Sequence, residues 1–304
     1  MKLSVLVVTF NRPDDLLDLL QSIACQDELD GALEEVLILD NGTTSDYAEA
    51  WAFADAHPEL KIRVIRSGEN LGATAGKNLL MREAQSDVFL VLDDDVVLPN
   101  AGDVATLARI FDKEIFRDAN TGIVQVRVVY HDTKEIQKSA YPHKRRAPDS
   151  EDGPFLTSFF AGGATLMRKD AVEKAGPYPE EFSIYMEEYD LSYRVIDAGF
   201  SIGYDPSVTI EHKESRHGRL VDHAKLRRQW TNKTIVAWRY LPLRYVITTA
   251  FMWNLEYIRR VRGHPAEYFR AWRNVLTIPF REKRSPLGAE ALGYLRTVDA
   301  RLSY

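Results

Sequence analysis

Four short apolar runs, each closed by polar residues and separated by stretches of helical spacing, do most to limit what this chain can become. Leu3 to Phe10 ends in Asn11-Arg12-Pro13-Asp14, and Glu35 to Leu39 ends in Asp40-Asn41-Gly42. Lys61 to Arg66 ends in a glycine-bearing turn, and Val88 to Leu92 ends in Asp93-Asp94-Asp95. Between them, Leu16, Leu17, Leu19, Leu20 and Ile23 recur on one helical face, and Tyr47–Ala56 and about 74–84 are also predicted helices. Pro13 suits the first helical turn, and Asp14 and Asp15 suit its positive end. A β-α-β-α-β-α-β order demands an α/β fold with a mostly parallel sheet and helices on both faces, because parallel neighbours need a crossover.

After Pro99 the pattern predicts a helix over about 101–117 and a strand over Gly122–Tyr130. A mobile loop is expected over 131–154, where Asp149-Ser150-Glu151-Asp152 lacks any apolar period, and mixed α/β structure over 155–211. From about 220 the chain is predicted helical, with prolines 242, 265, 279 and 286 as punctuation. The expected division is a body of 1–215, with a nucleotide-binding half of about 1–100 and an acceptor half of 101–215, and an extension of 216–304. The net charge of −6 hides a strong asymmetry: residues 212–304 carry 19 Lys+Arg against 7 Asp+Glu, net +12, which leaves −18 for residues 1–211. A basic tail on an acidic body suggests an anionic partner. A single cysteine, Cys25, excludes an internal disulfide and fits a reducing compartment. The opening run is too short for a signal peptide, and no run of about 18 apolar residues exists to span a bilayer. The expected setting is cytoplasmic, or peripheral on the inner face of the membrane.

In parallel sheets ligands bind beyond the carboxyl ends of the strands, which singles out Thr9–Arg12, Asp40–Thr43, Arg66–Lys77 and Asp93–Asp95. Three consecutive carboxylates between two apolar runs crowd like charge near the core, which a divalent cation relieves; a solvated acidic turn is the plainer alternative. Asn70-Leu71-Gly72, with Gly76-Lys77-Asn78, offers backbone amides and one cation to a phosphate, or is simply a helix-starting loop. Phe182-Ser183-Ile184-Tyr185-Met186-Glu187-Glu188-Tyr189-Asp190 places carboxylates at the start of a predicted helix, where they stabilise it or, if buried, act as a general base. His212 closes a predicted strand and is a packing residue or a metal ligand, as is His217.

In this order the motifs resemble those of inverting family 2 glycosyltransferases of the GT-A fold, including rhamnosyl- and galactofuranosyl-transferase-like enzymes, over about residues 3–215. The opening Val5–Arg12, Leu37–Thr43, the Asn70–Asn78 stretch, Asp93-Asp94-Asp95 at the D-x-D position and Phe182–Arg194 carry the likeness. The resemblance implies that Thr9, Asn11, Arg12, Asp40, Asn70, Gly72, Lys77, Asp93 and Asp94 hold the nucleotide sugar. It implies that Asp95, with Asp93 and His212, ligates Mn²⁺ or Mg²⁺, and that Gly162, Gly163 and Asp190 lie on the acceptor side. Glu188 stands where the family most often has an Asp as catalytic base, with Glu187 the alternative. The implied donor is a UDP- or dTDP-linked sugar and the acceptor a glycan or lipid-linked hydroxyl, as in cell-surface polysaccharide assembly.

Four of the five tryptophans, at 230, 238, 253 and 272, lie in the basic tail. The stretch 230–262, with Arg239, Arg244, Arg259, Arg260 and Arg262 around an apolar centre, suits the headgroup region of an anionic membrane, packing on the body, or a homo-oligomer contact. No nucleic-acid module is visible, and no nucleic-acid partner is expected. Two other functions compete: a sugar nucleotidyltransferase, which would want a glycine-rich basic loop after the first strand, and a nucleotide-sugar or glycan-binding scaffold without turnover.

Overall fold

In the computed structural model, residues 2–149, 151–182, 184–214, 222–261 and 264–302 are described; Ser150, Ser183, His217 and Arg262 lie outside the described residues. The first half runs β1 (Leu3–Thr9), α1 (Pro13–Ala24), α2 (Leu29–Ala32), β2 (Leu33–Asp40), α3 (Ala48–Ala56), β3 (Ile62–Arg66), α4 (Ala73–Glu83) and β4 (Val88–Asp93). Its four strands lie in the order β3-β2-β1-β4, all parallel. Alternation along β1 divides the interior: Leu3, Val5 and Val7 pack with Leu16, Leu19, Leu20 and Ile23 of α1, while Leu6 packs with Leu80 and Met81 of α4. Each buried aliphatic side chain contributes about 1.5–3 kcal/mol.

The second half runs β5 (Val96–Val97), α5 (Asp103–Leu107), α6 (Glu114–Asp118), β6 (Thr121–Tyr130), β7 (Phe155–Thr157), β8 (Ala164–Arg168), α7 (Lys169–Ala175), α8 (Glu187–Asp197) and β9 (Ser201–His212). Strand β8 runs antiparallel between β4 and β6, and β9 is parallel to β6 and antiparallel to β5. One expectation is corrected here. The helix predicted over 101–117 is broken into α5, a 3₁₀ turn at Ile110–Asp112 and α6, because Lys113 takes an extended ψ of 134°. The described residues of 131–154 form no helix or regular strand, as expected of a loop, and buried contacts anchor parts of it. Tyr141 is buried, its hydroxyl donates to Asp152 at 2.6 Å, and Gln137 is buried against His212.

The remainder is helical: α9 (Asp222–Tyr240), α10 (Leu243–Arg260), α11 (Pro265–Leu276), α12 (Ile278–Arg281) and α13 (Ala289–Thr297). Ile235, Val236, Tyr240, Leu287, Leu295 and Leu302 share one hydrophobic core with Leu6, Phe89 and Leu191 of the body, so the extension is joined to it by buried apolar surface. Trp230, Tyr257, Ala271 and Val275 form a core of their own where α9, α10 and α11 meet. Among the described residues no helix is long and apolar enough to cross a membrane.

Candidate active site

The carboxyl ends of β1, β2 and β4 open onto a cleft of about 450 Å³ lined by Phe10, Asn11, Arg12, Asn41, Asn70, Lys77, Asp93 and Asp94, among others. Its rim is cross-tied by short polar side chains. Asn11, at φ 55°, accepts at its Oδ1 from the Thr44 and Ser45 amides. Asp40 accepts from the Thr43 amide, and Asn41 Oδ1 accepts from the Leu71 amide at 2.9 Å. Asn70 Oδ1 caps the Gly72 amide just before α4. Gly76 explains how close α4 comes to the sheet, since a Cβ there would stand 2.9 Å from Leu39 Cδ2 and 3.1 Å from Val8. That approach carries the next residue, Lys77, to Asp93, with Nζ 3.3 Å from Oδ1.

The three aspartates have different surroundings. Arg12 Nη1 donates to Asp94 Oδ1 at 3.0 Å and to Asp95 Oδ2 at 2.9 Å, tying the β1 turn to the end of β4. Burial nevertheless outweighs Arg12 and pushes the Asp94 carboxyl up to about 6. Pairing of Val96 with His212 across β5 and β9 brings His212 Nε2 within 3.3 Å of Asp95 Oδ1, while Nδ1 meets Gln137 at 2.9 Å. Burial lowers the basicity of His212, but Asp95 outweighs it and holds the imidazole above its ordinary value.

Glu187 and Glu188 open α8 behind a turn in which Tyr185 and Met186 both have positive φ, 67° and 77°. Such a pair is strained for side-chain-bearing residues and needs outside support. Asn232 of α9 supplies it by donating to the Ile184 and Tyr185 carbonyls at 3.2 and 2.9 Å. Glu188 Oε1 accepts from the Gly162 amide at 3.2 Å. A Cβ on Gly162 would lie 2.7 Å from that oxygen, and one on Gly163, at φ 98°, would lie 2.6 Å from Asp93 Oδ2. Gly162, Gly163, Asp93 and His212 also line a cavity of about 110 Å³, so Asp93 belongs to both spaces.

The electrostatics centre on Lys77. Burial and the charge of Glu188 push Glu187 up to about 8, and Glu187 Oε2 is buried with no hydrogen-bond partner among the described residues. Burial also raises Glu188, against the attraction of Lys77. Burial would lower Lys77 itself, but Asp93, Glu188 and Glu187 outweigh it and hold the ammonium above its ordinary value.

Of the residues singled out from sequence, Asn11, Arg12, Asn70, Lys77, Asp93 and Asp94 line the larger cleft. Thr9 is fully buried beneath it, bonded to Tyr47 Oη at 2.7 Å. Asp190 lies in a different environment: it accepts from Arg194 at 2.8 Å, Arg239 at 3.0 Å and Tyr240 at 2.9 Å, a buried cluster that clamps α8 to α9. The expected ligand trio of Asp93, Asp95 and His212 is not assembled as a cage, because Lys77 engages Asp93; among the described residues no three His, Cys, Asp or Glu groups are gathered to hold a cation. Asp95 Oδ1 and His212 Nε2, 3.3 Å apart, are a carboxylate oxygen and an imidazole nitrogen, donors of the kinds that Mn²⁺ accepts, although Asp95 Oδ2 is already engaged by Arg12. Sequence reasoning missed Tyr47, which accepts from the Arg12 amide at 2.8 Å, and Gln137, which orients His212. Neither stands in a motif. Asn41 was visible only as part of a turn triplet.

A central parallel sheet with a mixed second half, flanked by helices and opening on an acidic strand end, defines a GT-A-type α/β fold. The profile of glycosyl transferase family 2 matches residues 4–176, more than half of the chain, and the chain belongs to that family. It is 24% identical over 191 residues to the O-antigen chain rhamnosyltransferase WbaN of Salmonella anatum, covering 60% of this chain and 57% of that protein, under two thirds of its length. It is also 24% identical over 250 residues to an N-acetylglucosaminyl-diphospho-decaprenol L-rhamnosyltransferase of Mycobacterium tuberculosis, covering 70% of this chain and 79% of that one. A crystal structure of GalNAc-T7 with UDP, GalNAc and Mn²⁺ superimposes with a TM-score of 0.65 at 15% identity, over 99% of this chain and 58% of the other.

Proposed function

We propose that this protein is an inverting glycosyltransferase that moves a sugar from a nucleoside diphosphate donor, UDP- or dTDP-linked, to a hydroxyl of a lipid-linked glycan. The observation that carries the reading is the position of Asp93 between the two spaces, with Lys77 against it and Glu188 fixed by the Gly162 amide beside the smaller one. The nucleotide lies over the ends of β1 and β2, against Asn11, Arg12, Asp40 and Asn41. Glu188 takes the proton of the acceptor hydroxyl as it attacks the anomeric carbon, and a carboxylate whose basicity is raised by burial suits that task. Attack from one face with departure of the nucleoside diphosphate on the other inverts the anomeric centre.

Asp95 and His212 would hold Mn²⁺ or Mg²⁺, whose chemistry is to stabilise the charge that grows on the departing diphosphate. The presence of Mn²⁺ with UDP in a structure of the same fold supports this assignment. The acceptor class is supported by the diphospho-decaprenol named for the mycobacterial relative. It is supported too by α10, where Leu243, Ile247, Phe251, Leu255 and Ile258 are all exposed, at 46–69% of their full area, beside Arg244, Arg259 and Arg260. Arg259 and Arg260 are both paired with Glu256, and the rim that remains net cationic around the apolar stripe complements an anionic lipid surface.

The test is donor turnover. Wild-type protein incubated with UDP- and dTDP-sugars and Mn²⁺ should release nucleoside diphosphate, and Glu188→Gln should bind the donor without releasing it. A binding scaffold would bind and release nothing in either form, and a nucleotidyltransferase would form its product from a sugar phosphate and a nucleoside triphosphate.

A further inference from the structure

The smaller cavity is lined by a buried amide whose N–H groups have no partner among the described residues. Gln137 faces this space together with Asp93, Ser139, Gly162, Gly163 and His212. It belongs to the 131–154 segment, yet it is only 6% exposed. Its backbone amide donates to the Val128 carbonyl at 2.9 Å and its carbonyl accepts from the Ala140 amide at 3.0 Å, which fixes it against β6. Its Oε1 meets His212 Nδ1 at 2.9 Å. Its Nε2 donates to nothing among the described residues and is not one of the unpartnered side-chain atoms that the protein encloses completely, so it meets the cavity. The other polar side chains there are differently placed. Asp93 as a carboxylate only accepts, Ser139 is exposed, and His212 has one ring nitrogen on Gln137 and the other against Asp95.

Under the glycosyltransferase reading, on which this inference rests, the anomeric carbon lies between the diphosphate in the larger cleft and Glu188, whose Oε1 is held by the Gly162 amide. Asp93 lines both spaces and Gly162 the smaller one, so the ring of the transferred sugar reaches the smaller cavity. We propose that Gln137 determines specificity for that sugar: its Nε2 donates to one sugar hydroxyl while its Oε1 keeps His212 in position. A hydroxyl accepts as well as donates, and Gln137 and Asp93 between them offer the cavity both roles. A largely buried amide pays for its desolvation only when a substrate oxygen takes up its N–H groups. For the same reason a site that hydrogen-bonds a substrate hydroxyl rejects the analogue lacking it far more strongly than an apolar pocket does.

The experiment is calorimetric titration of the full chain in Mn²⁺ with UDP, dTDP and their glucose, galactose, N-acetylglucosamine and rhamnose conjugates. The sugar nucleotide that binds most tightly is then compared with its monodeoxy analogues. One analogue should bind wild type at least tenfold more weakly than its parent. Gln137→Met, neutral and of similar length, should weaken the parent about as much and no longer tell it from that analogue, while UDP affinity falls no more than about threefold. Gln137→Glu, which keeps an oxygen for His212 and has no N–H, should lose the same discrimination. Equal binding of every analogue by wild type, or undiminished discrimination in both variants, overturns the proposal. So does equal weakening of UDP and sugar nucleotide in both variants, the pattern His212→Ala should give, because Gln137 would then act through His212 alone. Failure of wild type to bind UDP or dTDP would instead count against the glycosyltransferase reading.

Discussion

Lys77 Nζ lies 3.3 Å from Asp93 Oδ1, and the same ammonium is the largest influence opposing the raised proton affinity of Glu188. One cation thus serves the donor-side aspartate and the proposed base together. Replacing it by methionine should raise the proton affinity of Glu188 further. Because only the ionised carboxylate accepts a proton, the rate rises with pH as Glu188 deprotonates, and Lys77→Met should move that rise to higher pH. A pH–kcat profile of the two proteins checks this; coincident profiles would show that Lys77 does not act on the base.

Glu187 gives a stability prediction. Its folded-state affinity is raised to about 8 by burial and Glu188, so the protonated form is favoured in the folded protein relative to the unfolded chain. The resulting stabilisation is complete below the ordinary glutamate range near 4.5 and fades as pH climbs towards 8. Melting temperatures of wild type should therefore fall over that window. Glu187→Gln, which cannot ionise, should flatten the fall, and equal slopes in differential scanning fluorimetry would contradict the assignment.

Arg12 compensates two buried carboxylates at once. Arg12→Ala should cost about 3–5 kcal/mol, the scale for removing one partner of a buried ion pair. Urea unfolding at pH 7 should register the loss, with part of it regained at pH 5 as Asp94 takes up a proton, since its affinity already stands at about 6.

Gly162 has an ordinary φ, so an alanine there suffers only from the 2.7 Å approach of its Cβ to Glu188 Oε1. Gly162→Ala should reduce kcat at least tenfold with donor affinity unchanged, because the displaced group is the base. Equal kcat would place the reacting hydroxyl elsewhere.

Asn232 supports the strained turn at Tyr185 and Met186 from a helix outside the matched family segment. Asn232→Leu removes both donated hydrogen bonds and should lower transfer severalfold while leaving UDP binding intact. Donor titration alongside a turnover assay separates these, and loss of both together would assign Asn232 to overall stability instead.

The amino-acid sequence by itself determined the four parallel strands, the helices between them and the polar residues waiting at the strand ends. Apolar period, proline and glycine placement are local signals, and a strand end is fixed once the strand is. Asn11, Arg12, Asn70, Lys77, Asp93 and Asp94 were legible for that reason. What only tertiary structure decided is who meets whom. His212 reaches Asp95 because β5 pairs with β9. Asp190, beside Glu188 in sequence, belongs to Arg194, Arg239 and Tyr240 because it points from another side of the same helix. Contacts between residues far apart in the chain depend on how the layers pack, and no local pattern records them.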